Sequence, residues 1–348
     1  MLKLPFIPME RTVEVTVPPE VSAPVALIDY LSSRYDYLDR DQWLEQIAVG
    51  NLFVNRTGAS AARLVASGDA IFFQARDLTE QEVSWEIKVL AETDEYIIVD
   101  KPGNLPCHPA GRFFNHTLWA WLRQARHLQS IHFVNRLDRE TSGVVLVGKS
   151  PRFAAAAAKS LHAKGDGSRK EYTVMVHGRV PCQKLATNGF LARDPSSAVR
   201  KKRAFIPMQN DGDSDVVELP DDVEAVTSQT DFVRVGFFRP QFDNDGMAWS
   251  FAPDEKGGFT MLRAFLHTGR THQIRATLCS LGFPVAGDKL YGLDERLFLK
   301  FAASTLEMGD WRRLMMRHQA LHARRLAIPA LGIDVTAPTP WIPPDAGM

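Results

Sequence analysis

Four short runs rich in apolar and β-branched residues, Tyr96 to Val99, Val144 to Val147, Glu171 to Val176 and Met261 to Leu266, set the strongest limit on what this chain can fold into. Each has the length and composition of a strand. Helical segments come between and after them, notably Phe153 to Ala163 and Gln273 to Leu281. The small residues Ala154 to Ala158 suit a helix packed closely on a sheet. The mixture predicts an α+β domain with a largely antiparallel, mixed sheet.

The residues before these runs have a different texture. Arg11 to Val17 alternates like a short strand and is closed by Pro18-Pro19. Ala26, Ile28 and Leu31 share one face of a helix; Trp43, Leu44, Ile47 and Ala48 form a second stripe, with Gly50 as its C′ stop. Leu52-Phe53-Val54, a turn at Asn55 to Gly58, and Gly68 to Phe73 read as short strands and their connection. This unit of about fifty residues is too small to be an enzyme by itself. The expected organisation is an N-terminal extension (1–21), a small α/β domain (22–76), a polar linker (77–84) and a main domain (85–345) with an acidic insertion at 205–258.

Charge decides little globally, because Lys+Arg and Asp+Glu are 41 each. Locally it is uneven: seven acidic residues and no basic ones lie between Asp211 and Glu224, after the basic cluster Arg200-Lys201-Lys202-Arg203. Two readings stand, a solvated surface insertion or a phosphate-contacting patch with an acidic fence. Cys107, Cys182 and Cys279 are scattered, without a CxxC pair, which argues against a disulfide framework or a Cys-based zinc site. No apolar run has the length of a membrane span, and Met1 to Pro19 lacks a signal pattern. A soluble cytoplasmic protein is expected.

Three polar segments carry residues that folding alone would not require. In Asn135-Arg136-Leu137-Asp138-Arg139-Glu140-Thr141-Ser142-Gly143 a carboxylate sits between two arginines and is followed by hydroxyl donors and a glycine. Such a carboxylate is held ionised, as suits a nucleophile or charge stabiliser; a structural salt-bridge loop would have the same composition. His267-Thr268-Gly269-Arg270-Thr271-His272-Gln273-Ile274-Arg275 joins a strand to a helix, where donors and cations can meet an anion. Lys101-Pro102-Gly103-Asn104-Leu105-Pro106-Cys107-His108-Pro109 is a loop stiffened by proline. His318 and His322 would be i,i+4 on a helix, but the stretch reads HQALH and lacks the expected glutamate, so no metal site is expected.

Arg136 to Gly143 resembles the RLDRxTSG signature of the RluA-type pseudouridine synthases. Further elements follow in the family's order: Lys101-Pro102-Gly103 with Pro106 and His108-Pro109, Lys170-Glu171-Tyr172, Thr268 to Arg275, Gly287-Asp288-Lys289-Leu290-Tyr291-Gly292, and Leu321-His322-Ala323. Residues Val25 to Phe73 are similar to an S4 RNA-binding domain, through Leu52 to Asn55 and Gly68-Asp69. The sequence departs from the family at Asn135, where a histidine is usual, and after Ala323, where a His-Pro pair is missing and Ala327-Ile328-Pro329 stands in that vicinity.

The resemblance implies isomerisation of uridine in RNA without a cofactor. It gives Asp138 the role of catalytic carboxylate, Arg275 that of its partner, and Tyr172 that of the residue that stacks by the uracil and helps remove the C5 proton. Arg136 would fill the space of a flipped base, and Arg139, Arg270 and Lys101 would line the pocket as phosphate contacts. Arg34, Arg40, Arg56 and Arg63 of the S4-like unit would add phosphate contacts. The expected partner is structured RNA, large-subunit ribosomal RNA before tRNA, with no membrane, no obligate protein partner and a monomeric state. A non-catalytic RNA-binding protein is the alternative; a degenerate enzyme would have lost Asp138, Tyr172 or Arg275, and all three are present. A glycosidase is disfavoured, since the second acidic residue such an enzyme usually needs has no obvious candidate beside Asp138.

Overall fold

The computed structural model describes residues 5–35, 37–75, 80–163, 167–208, 224–244 and 246–342. The chain divides into two compact units, Met1–Trp85 with Leu105–Gln129, and Glu86–Asn104 with Ser130–Met348.

In the first unit, the strands Thr12–Thr16, Ala70–Gln74, Leu52–Val54 and Thr57–Gly58 make a four-stranded antiparallel sheet in that order. The helices Leu27–Arg34 and Arg40–Ala48 bury Leu27, Leu31, Trp43 and Ile47 with Leu52, Ile71 and Phe73 of the sheet. Asp39 starts the second helix through a capping box with Gln42, and Gly50, at φ +80°, follows its end. Trp43 meets Phe73 edge-on at 5.2 Å; removing so large a buried ring costs about 3–5 kcal/mol. The expected stripe narrows to Trp43 and Ile47, because Leu44 is 38% exposed.

Residues 76–79, which include the start of the expected linker, lie outside the described residues. The remainder is tied within the first unit: the Glu80 carboxylate accepts the N–H groups of Phe114 (2.7 Å), Asn115 (2.8 Å) and His116 (2.8 Å). Three buttressed donors explain why Leu105–Gln129, with its helix Leu118–Gln124, groups with the N-terminal residues.

The second unit is built on one mixed sheet. Its strands run in the order Arg203–Pro207, Lys184–Arg193, Ala225–Phe242, Phe259–Leu266, Arg169–His177, Leu321–Ile328, Ser142–Gly148, Tyr96–Lys101 and Lys88–Glu92. Along this path only Ser142–Gly148 and Leu321–Ile328 pair in parallel. All four apolar runs are strands of this sheet, so the α+β class with a largely antiparallel sheet holds. Ser142–Gly148 is buried at every position, and helix Pro151–His162, N-capped by Ser150, covers Val144 and Leu146 with Phe153, Ala157 and Leu161.

Of the segment 205–258 expected as an acidic insertion, strands Arg203–Pro207, Ala225–Phe242 and Ala248–Pro253 enter the sheet, and residues 209–223 lie outside the described residues. The possible His318/His322 helical pair does not form, because His322 is on the strand Leu321–Ile328. No helix among the described residues is long and apolar enough to cross a membrane.

Candidate active site

Asp138 stands on the loop that feeds strand Ser142–Gly148, and the residues after it fix that loop one by one. The buried Lys289 ammonium donates to the Glu140 carboxylate and, at 2.8 Å, to the Arg317 carbonyl. Gln319 Nε2 donates to Thr141 Oγ1 at 2.6 Å. His322 Nε2 faces the Ala337 carbonyl at 3.2 Å and must carry the hydrogen, so Nδ1 accepts the Ser142 hydroxyl at 2.9 Å. Burial lowers the His322 pKa to about 4, which keeps the ring neutral. Gly143, at φ +115°, lies against the Ala323 backbone where any Cβ would collide. Asn135 clamps the same strand, donating to the Val144 carbonyl at 3.0 Å and accepting the Leu146 N–H at 2.9 Å.

Arg275 comes from the helix Gln273–Ser280. It meets Asp288 in a bidentate pair, Nε to Oδ2 at 2.6 Å and Nη2 to Oδ1 at 2.9 Å. Asp288 is in turn fixed by the backbone N–H groups of Leu290 and Tyr291, both at 2.9 Å. One arm of the guanidinium remains, and Nη1 donates to Asp138 Oδ2 at 2.7 Å. The Asp138 side chain is 31% exposed, although Arg275 and Asp288 behind it are buried. Burial acts to raise the Asp138 pKa, but the His272 ring, the Arg275 charge and the Arg275 hydrogen bond hold it below the ordinary carboxylate range. His272 is itself lowered to about 4 by burial and the Arg275 charge. It is therefore neutral at neutral pH, and Arg275 is the cation that keeps Asp138 ionised.

The structure thus brings Asp138 and Arg275 together. Tyr172 is buried on strand Arg169–His177, in register with Ala323, which also faces Gly143; one strand separates it from the root of the Asp138 loop. Arg136 and Arg270 are exposed, the latter with Nε donating to the Thr227 carbonyl at 3.2 Å. Arg139 donates to Asn104 Oδ1 at 2.7 Å, lies 4.7 Å from the Phe301 ring centre, and is lowered to about 10 by burial. Those contacts make it a brace for the loop. Lys101 requires a correction: it is fully buried, and its ammonium donates to the Pro102 (2.8 Å) and Arg139 (3.3 Å) carbonyls, so it cannot reach an RNA phosphate. In the first unit, Arg40 is exposed and paired with Asp29 at 2.7 Å, and Arg56 is exposed with its guanidinium 6.0 Å from the Phe72 ring.

Sequence reasoning assigns no role to His272, Asp288, Lys289 or Tyr291. The signal for the last three lies in Gly287 to Gly292, where an aspartate between a glycine and a lysine is suited to anchoring an arginine, and that for His272 lies in Thr268 to Arg275.

The family model for RNA pseudouridylate synthase matches residues 95–280, more than half of the chain and the stretch that holds Asp138, Tyr172 and Arg275. The chain belongs to the RNA pseudouridylate synthase family, in agreement with its RluA-type resemblance. It is 27% identical over 273 residues to the mitochondrial tRNA pseudouridine(32) synthase of Saccharomyces cerevisiae, covering 77% of this chain but 51% of that relative. It is 28% identical over 294 residues to the ribosomal large subunit pseudouridine synthase D of Nitrosomonas europaea, covering 81% of this chain and 73% of that one. Among solved structures, human RNA pseudouridylate synthase domain containing 1 shares the fold, with a TM-score of 0.51 at 20% identity over 75% of this chain and 87% of the other. The chain spans about half the length of the yeast relative.

Proposed function

We propose that this protein isomerises uridine to pseudouridine in RNA, with Asp138 as the catalytic carboxylate. The observation that carries the reading is a carboxylate held by Arg275 through one oxygen while its side chain stays partly open to solvent. Breaking the N-glycosidic bond builds positive character at the anomeric carbon, and an ionised carboxylate there can either attack that carbon or remove a ribose proton. The detached uracil turns, C5 bonds to the ribose, and the C5 proton is lost; Tyr172 serves that last step. The reaction exchanges no electrons and moves no group to a second molecule, so the residues suffice without a cofactor. A uridine stacked in RNA reaches Asp138 only when flipped out, and the exposed Arg136, two residues away, fills the vacated space.

The substrate in this proposal is folded RNA, with large-subunit ribosomal RNA as first choice. The greater share of the Nitrosomonas relative that is covered supports it, and the yeast relative supports tRNA as the second reading. Residues 22–76 of the first unit act as an S4-like RNA-binding domain, presenting exposed Arg34, Arg40, Arg56 and Arg63 to phosphates. Tritium release from RNA carrying C5-labelled uridine tests the reaction. Carbodiimide labelling with reverse-transcription mapping, in cells with and without the gene, tests the target. Loss of one or a few ribosomal sites is expected; loss confined to single-stranded messenger RNA would overturn the substrate assignment.

A further inference from the structure

Behind Asp138 stands a short hydrogen-bond relay whose proton positions follow from the heavy atoms. The Tyr291 hydroxyl is buried, with two polar neighbours among the described residues: the Arg203 backbone nitrogen at 2.9 Å and His272 Nδ1 at 2.9 Å. A backbone N–H can only donate, so the phenol oxygen accepts from Arg203. The phenol hydrogen still needs an acceptor, because a buried hydroxyl is seldom left unsatisfied. That acceptor is His272 Nδ1. A neutral imidazole carries one ring hydrogen, which therefore sits on Nε2. Nε2 lies 3.9 Å from Asp138 Oδ2, the oxygen that Arg275 also holds.

Two further features show that this placement is enforced. His272 sits at φ +59°, a left-handed conformation that non-glycine residues seldom adopt, at the turn into helix Gln273–Ser280. Its ring stands edge-on against Tyr291, with centres 5.4 Å apart and planes at 81°. Among the described residues, Asp138 Oδ1 accepts no hydrogen bond; Arg275 Nη1 donates to Oδ2, and His272 Nε2 stands near that same oxygen, at 3.9 Å a little beyond hydrogen-bond reach.

We propose that Tyr291 sets the tautomer of His272, and that His272 is a positioning residue whose Nε2–H, with Arg275, engages Asp138 Oδ2 and leaves Oδ1 as the reacting oxygen. The neutrality of His272 above a pKa of about 4 agrees with this, since an imidazolium would need no tautomer to be chosen. This inference rests on the pseudouridine synthase reading for its consequence in catalysis, but not for the tautomer itself.

Long-range nitrogen–proton correlation spectra of the full chain, with histidine labelled by ¹⁵N and the His272 signals assigned through His272→Gln, read the tautomer without any activity. The expected wild-type pattern is an unprotonated Nδ1 and a protonated Nε2. Tyr291→Phe should move the signals toward a mixture and lower kcat by about tenfold with KM unchanged, the scale of one lost site hydrogen bond. In a His272→Gln background the amide donor needs no tautomer, so adding Tyr291→Phe should cost less than about twofold. A protonated Nδ1 or an imidazolium in the wild type overturns the relay, as does an equal cost of Tyr291→Phe in both backgrounds. A chain that shows the expected tautomer yet releases no tritium from any uridine RNA overturns the reaction reading, and the positioning role with it. A chain that releases tritium with the other tautomer overturns the relay alone.

Discussion

Asp138 and Glu140 belong to one loop, two residues apart, and each meets a buried cation, yet the two arrays are built for opposite ends. Glu140 is 8% exposed and closed in: Lys289 donates to it, and His318 Nδ1 lies 3.7 Å away. Lys289 itself is fully buried, with the rings of Phe301 (4.7 Å) and Trp311 (5.2 Å) beside its ammonium. Burial acts to raise Glu140, but the Lys289 charge, the nearby His318 ring and the Lys289 hydrogen bond hold it low. Asp138 is held low as well, and each carboxylate meets its cation through one oxygen, but the Asp138 side chain is 31% exposed and that of Glu140 10%. A carboxylate–cation pair is therefore not what marks chemistry here. What marks it is a pair left partly open to solvent, carried by a loop locked behind it.

The sharpest way to break this comparison is to neutralise each carboxylate in turn. Asp138→Asn keeps shape and removes only the charge, so tritium release should fall to background while the fold and RNA affinity persist. Glu140→Gln should leave kcat within about fivefold, since its carboxylate serves only the loop. Retention of more than a few per cent of wild-type turnover in Asp138→Asn would dismiss Asp138 as the catalytic group.

Removing the cation of the closed array separates stability from chemistry. Lys289→Met leaves Glu140 ionised and unpartnered in the interior, at a cost of about 3–5 kcal/mol in urea unfolding. Replacing both partners, Lys289→Met with Glu140→Leu, should recover most of that loss, because the buried charge is gone. If the double variant were as unstable as the single one, the pair would not be the unit that holds the loop.

Much of the sheet around these arrays is legible in the sequence. The four apolar runs are strands because buried strands need continuous apolar residues, and Ser142–Gly148 is buried throughout. Asp138 and Arg275 are legible as a pair only through the family resemblance, since 137 positions separate them in sequence and no local pattern joins them. Arg136 and Arg139 flank Asp138 in the sequence like natural partners, yet neither donates the hydrogen bond that Arg275 gives it. Lys101 misleads for a related reason. A lysine before a proline-rich loop looks solvent-facing, and only the tertiary fold supplies the carbonyls that let it be buried. The strands Lys184–Arg193 and Ala225–Phe242 are hidden in the sequence because polar side chains recur through them at exposed and at buried positions alike, beside an acidic run that dominates local composition.

The two arrays are also supported by histidines that share one electrostatic state. His322 anchors Ser142 on the Glu140 side and His272 faces Asp138; each is lowered from 6.5 to about 4, chiefly by burial. Between those values the unfolded chain binds protons that the folded one refuses, so stability is fully present above pH 6.5 and falls as pH drops toward 4. A shift of this size corresponds to about 3 kcal/mol for each ring. In unfolding measured across that range, His322→Gln should lose up to about 3 kcal/mol less than wild type between pH 6.5 and 4. Parallel curves would mean that the ring is not held neutral.

The smallest effect belongs to a cation outside both arrays. Arg270 is exposed on the turn before His272, and its guanidinium donates to the Thr227 carbonyl at 3.2 Å. An exposed guanidinium contributes little to stability, and the proposed function gives Arg270 to an RNA phosphate. Arg270→Ala should then weaken RNA binding a few-fold, lower the slope of log affinity against log salt by about 0.7–0.9, and leave kcat and the unfolding midpoint unchanged. Arg139→Ala provides the contrast. It removes a brace packed on Phe301 and bonded to Asn104, so it should lower stability and leave the salt slope as it was. If Arg139→Ala changed the slope and Arg270→Ala did not, the assignment of the two arginines would be reversed, and the RNA path would run along the Asp138 loop instead of the turn before Gln273.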